Sequence, residues 1–150
     1  MMEKKHQFIL FVMLGILVVV GNVFLIEPKD NQLENAQTIK TKCRVDLAPC
    51  EITSDNNSYK VIVEGEVKPL KKFLIKLQDQ NNSLNSAVIE FRMKDMDMGK
   101  NIFPFERIEL GAWNANVIIP ICTTDRRGWE LELLLSSEDK VQKFIMYLVL

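Results

Sequence analysis

The stretch "FRMKDMDMGKN" (91–101) places Met93, Met96 and Met98 close together in the chain. Thioether sulfur is a soft, uncharged donor, and soft donors select Cu(I) over hard cations. A Met-x-Met pair such as Met96 and Met98 offers two such donors on one side of an extended chain. Cys122 is a further sulfur, and its thiolate would complete a three-coordinate site. The plainer reading is that these methionines fill a gap in a core or pack on a partner. Phe103 and Phe105, in "NIFPFERI", follow closely and are candidate partner contacts.

Side-chain parity bears on the choice. Ala87, Ile89, Phe91 and Met93 alternate with Val88, Glu90, Arg92 and Lys94, which puts Met93 in an inward row. Met96 and Met98 have the opposite parity and are expected on the outer face, unless a bulge shifts the phase. Gly99 then offers a turn.

Other chemistry finds little support. His6 is the sole histidine and precedes a long apolar run, so the remainder of the chain has none. That excludes Ser-His-Asp and Cys-His catalysis there, histidine-based zinc sites and blue copper. No Cys-x-x-Cys, phosphate loop or acid/base carboxylate couple is recognisable. No catalytic residue is assigned, and an enzyme is not expected. A net charge of −1 gives no electrostatic case for nucleic acid. "KPLKK" (68–72) and "DRRG" (125–128) are basic clusters, read as solvated strand ends or as contacts for anionic lipid or a partner. Arg126 and Arg127 beside Cys122 raise a third reading, a labile thiol with a redox role.

Position in the cell follows from the N-terminus. Lys4 and Lys5 precede "FILFVMLGILVVVGNVFLI" (8–26), whose 19 residues would rise about 28 Å as a helix and nearly match a bilayer core. The positive-inside bias keeps residues 1–7 in the cytoplasm and sends the rest across. No Ala-x-Ala-like site follows, so an uncleaved single-pass anchor is preferred over a cleaved signal peptide. Polar residues 27–38 read as a tether, and 39–150 as the exported domain.

Disulfides are permitted in that compartment. Cys43, Cys50 and Cys122 allow three pairings. Cys43–Cys50 is preferred, since "CRVDLAPC" would close a short loop; Cys122 is then a free thiol or a buried small hydrophobe. Pairing of Cys122 with either of the others is the alternative.

Period-two patterns recur at Tyr59–Val63, Phe73–Leu77, Ala87–Met93, Trp113–Ile119 and Trp129–Leu133. "KVQKFIMYLVL" is apolar on both faces, and its Val, Ile and Tyr content favours a strand. "DNNS", "DQNN" and "TDRRG" supply turns, and Pro120 should end its strand or lie on an edge. About seven short strands without a convincing helix predict an all-β, immunoglobulin-like two-sheet sandwich, preceded by one N-terminal transmembrane helix. A small barrel is the runner-up.

With its N-terminal anchor, tether, "FRMKDMDMGKN", "GAWNANVIIPIC" and "RRGWELELLL", the chain resembles the YtkA-like and FixH-like group of small membrane-anchored domains. The resemblance covers roughly residues 58–136. It implies an immunoglobulin-like fold in the periplasm, held to the bacterial inner membrane. It also implies a role in copper handling or in assembly of a haem-copper respiratory oxidase, with an oxidase subunit or copper-transfer protein as partner. Related copper-handling domains usually add histidine near the methionines, which this domain lacks.

Overall fold

The computed structural model describes residues 36–94, 96–121, 127–138 and 140–150. The expected span at 8–26, His6, most of the tether and Cys122 lie outside the described residues. Among the described residues, no helix is long and apolar enough to cross a membrane.

Ten strands form in chain order: β1 (Gln37–Arg44), β2 (Cys50–Ser54), β3 (Asn57–Glu64), β4 (Lys72–Asp79), β5 (Ser86–Met93), β6 (Met96–Pro104), β7 (Glu106–Glu109), β8 (Ala112–Ile118), β9 (Gly128–Ser136) and β10 (Val141–Val149). They build two five-stranded sheets, in the orders β1-β10-β9-β5-β6 and β2-β3-β4-β8-β7. All pairs are antiparallel except β1 with β10.

The alternating patterns become the core. Phe73, Ile75 and Leu77 from one sheet meet Ile89, Phe91, Leu131 and Leu133 from the other, all buried. Ring contacts cross the gap between sheets: Phe73 with Phe91 at 6.3 Å between centroids, and Tyr59 with Phe144 at 6.2 Å. β10 lies between β1 and β9, with Phe144, Met146 and Leu148 in its fully buried row and Ile145 buried on the other face. "DNNS" supplies the β2–β3 turn, where Asp55 and Asn56 both take positive φ, as a two-residue hairpin turn requires. β8 ends at Ile118, two residues before Pro120.

Ten strands form where about seven were expected. The strands without a recognised pattern are edge elements: β1, β2, β6 and β7 each pair with one neighbour only. β2 has five residues and β7 four, too few for a period to stand out, and β6 carries a register shift. β1 starts at Gln37, inside the stretch read as tether.

A disulfide joins Cys43 on β1 to Cys50 on β2, with Cα atoms 5.9 Å apart. Since β1 and β2 belong to different sheets, this bond staples the two layers along one side.

Registers also define the two ends of the sandwich. Arg92 pairs with Glu130 and Trp129 with Leu148, so the β5 terminus, the β9 start and the β10 terminus share one end. Lys72 pairs with Ile118, which groups the β4 start with the β8 terminus, and the short loop bridged by Cys43–Cys50 ties both sheets at that same end. Gln37, where β1 begins, lies at the opposite end beside Gln142.

Candidate metal site at the end of β5 and β6

Met93 closes the inward row of β5 and is 5% exposed. β6 then runs back along β5. From Phe91 to Met93 is two steps on β5, but the facing residues, Asn101 to Met96, are five steps apart on β6. β6 therefore bulges over Asp97–Lys100.

Local polar groups hold the bulge. Asp97 Oδ1 accepts the Gly99 N–H at 2.9 Å, an Asx-type turn. Gly99 takes φ +69°, a conformation costly to residues with a Cβ. The Asn101 side-chain amide donates to the Met98 carbonyl at 3.1 Å and to that of Gly99 at 3.4 Å. These bonds replace ladder bonds that the bulge removes.

An odd number of extra residues reverses the alternation. Met96 becomes the direct cross-strand partner of Met93, and cross-strand partners project to the same face. Both Met96 and Met98 are half-buried and pack against the core. The expected outer-face placement of Met96 and Met98 is thus corrected: the bulge turns them toward the core side.

They are not sealed in. Met93, Met96 and Met98 line one pocket of about 600 Å³ together with Glu90, Arg92, Asp97, Gly99 and Lys100. Its volume falls within the range of small-ligand sites and far exceeds a single ion. A metal held by the thioethers would leave room for a group brought by a visiting molecule.

The pocket's charges are tied into the sheet. Arg92 reaches Glu132 at 3.2 Å and Glu90 at 3.8 Å, and Lys143 holds the other Glu132 oxygen at 3.0 Å. Glu132 is 9% exposed and stands directly across from Glu90. Burial would raise the Glu132 pKa, but the hydrogen bond from Lys143, then the charges of Lys143 and Arg92, outweigh it and hold the carboxyl below its ordinary value.

The other expected residues separate. Phe103 is half-buried, with its ring edge-on to Phe91 at 5.8 Å. Phe105 is a core residue whose N–H donates to the Ala87 carbonyl at 2.9 Å. Cys122 lies outside the described residues. The sequence left room for a bulge without placing one; the signal that places it is Asp97, Gly99 and Asn101, turn residues at alternate positions inside what reads as a strand.

No family model, curated protein or solved structure matches this chain.

The donor set therefore has to be judged on its own chemistry. Three neutral thioethers on one pocket fit a soft monovalent ion. A hard or borderline divalent ion wants carboxylates, imidazoles or thiolates. Among the described residues, no group of three or more His, Cys, Asp or Glu side chains is placed to hold one.

Proposed function

We propose that this chain is a membrane-anchored periplasmic accessory protein of the bacterial inner membrane, with an immunoglobulin-like domain that holds Cu(I) through Met93, Met96 and Met98. Its role is to carry the ion to a respiratory oxidase subunit or a copper-transfer protein during assembly, without catalysis. The observation that carries this reading is the single pocket shared by all three thioethers. A Cys43–Cys50 bond and an apolar run at 8–26 support an exported domain on an anchor. Two packed sheets with alternating inward rows support the immunoglobulin-like assignment.

Bound Cu(I) would be a cargo with soft, uncharged ligands. The protein's own part is positional. The bulge fixes Met96 opposite Met93, and the core holds Met93 in place. Met98 is half-exposed on the pocket wall, where a competing ligand can reach it, which suits transfer rather than storage.

Titration of the full-length chain in detergent with Cu(I), against a chromophoric chelator, tests the proposal. The wild type should compete for the ion, and Met96→Leu/Met98→Leu should lose at least tenfold in affinity. Equal affinity in the two proteins would remove the copper reading. A second reading, a metal-free interaction module, is favoured by exposed Ile102, Ile108 and Leu110 along β6 and β7. Under it, photocrosslinkers at Ile108 would capture one membrane protein whether or not the methionines are replaced.

A further inference from the structure

The loop "KPLKK" takes no part in the pocket, yet it is built at some cost. Leu70 holds φ +59°, a left-handed conformation that leucine rarely adopts. A turn bond from the Lys71 N–H to the Lys68 carbonyl and another from the Leu70 N–H to the Ile119 carbonyl keep it there. The result is a leucine 65% exposed at a loop tip, between lysines. Strain spent on exposing an apolar side chain calls for a contact outside the domain.

Other tips at the same end repeat the pattern. Leu47, between β1 and β2, is 70% exposed, and Ile121, beyond β8, is 55% exposed. The Asp46 carboxylate accepts the Val149 N–H at 3.3 Å, which fastens the Leu47 loop to the end of β10. The same loops carry five cations and two carboxylates: Arg44 pairs with Asp46, Lys68 and Lys71 both pair with Glu66, and Lys72 and Arg127 add to a net positive charge. Isolated apolar tips in a positive rim match a bilayer interface, where side chains enter the acyl boundary and cations meet phosphates.

The geometry points to this end of the sandwich as an anionic-lipid contact surface, with Leu70, Leu47 and Ile121 as the inserting side chains. Lys72 and Arg127 would take the headgroup phosphates directly, and Lys68 and Lys71 would reach them from their shared pair with Glu66. The inference rests on the anchor at 8–26 in the proposed function, which would keep the domain close to a bilayer. The inference is independent of copper, because none of these residues lines the methionine pocket.

Tryptophan fluorescence tests it, since the native Trp113 and Trp129 are both buried in the sandwich. Full-length Leu70→Trp would be reconstituted in vesicles whose acyl chains carry bromine. In equal parts phosphatidylglycerol and phosphatidylcholine, at least half of the added emission should be quenched. In phosphatidylcholine alone it should not, and Leu110→Trp, at the far end, should be insensitive to both. Lys68→Glu/Lys71→Glu/Lys72→Glu in the Leu70→Trp background should abolish quenching while near-ultraviolet circular dichroism stays native. Added emission of the Leu70→Trp protein that stays unquenched in both vesicles, or is quenched equally in both, would overturn the inference.

Discussion

Met93 and Met96 face one another across the β5–β6 pair, although only residues 94 and 95 separate them in the chain. This pairing, with the bulge that follows it, decides where the sulfur atoms go. Without the bulge, Met96 and Met98 would stand on the opposite face from Met93. With it, all three reach one pocket.

The bulge should therefore be testable apart from the sulfur. Gly99 takes φ +69° with open space where a Cβ would stand, so Gly99→Ala should cost about 1–2 kcal/mol, from backbone strain alone. Gly111, at φ +72°, would put a Cβ 2.5 Å from the Asp79 carbonyl oxygen. Strain and backbone clash together should cost at least about 3 kcal/mol in Gly111→Ala. Urea unfolding of both variants gives the comparison, and Gly111→Ala must be the less stable.

The staple between sheets should also register in unfolding. By chain entropy, closing so short a loop stabilises by about 2.5 kcal/mol. Cys50 is wholly buried, so Cys43→Ala/Cys50→Ala leaves a small cavity as well. The urea midpoint of the double variant should fall accordingly. The wild type should fall nearly as far once reduced.

Glu132 gives a pH dependence of known sign. Its carboxyl titrates below 4.5 in the fold because Lys143 and Arg92 outweigh its burial. The stabilisation is thus complete above the unfolded value of about 4.5, and it is lost as pH falls through the lower folded value. Lys143→Met should cost about 2 kcal/mol at pH 7 and move acid unfolding to higher pH. Thermal melts between pH 2 and 7 would reveal both effects. A variant whose acid limb overlays the wild type would contradict the assignment.

Most of the sandwich was legible because inner strands must alternate. Phe73–Leu77, Ala87–Phe91 and Trp129–Leu133 each fill the core with every second residue. β1, β2, β6 and β7 were less visible: β2 and β7 are too short to show a period, β6 is interrupted by its bulge, and β1 offers only Ile39 and Cys43 as apolar residues. The short Cys43–Cys50 spacing marked the bond that forms. The site was legible in its residue types but not in its facing. Parity assumes one residue per step on both strands, and the Asp97–Gly99–Asn101 hydrogen bonds break that assumption. Phe105 read as a surface aromatic beside the methionines, yet it follows β6 into the core.

Thioethers carry no proton in this pH range, which separates them from a thiolate site. If Met93, Met96 and Met98 bind Cu(I), its affinity should be flat between pH 5 and 8. Ligation dominated by Cys122 would release a proton on binding and strengthen as pH rises. Competition titrations at several pH values distinguish the two.

X-ray absorption of the Cu(I)-loaded, full-length protein reads the ligands of the ion themselves. Binding through Met93, Met96 and Met98 gives a first shell of sulfur in the wild type, lost together with the copper in Met93→Leu/Met96→Leu/Met98→Leu, whose volume-conserving changes should leave the fold intact. A first shell of nitrogen or oxygen, or a sulfur shell unchanged in that variant, would contradict it.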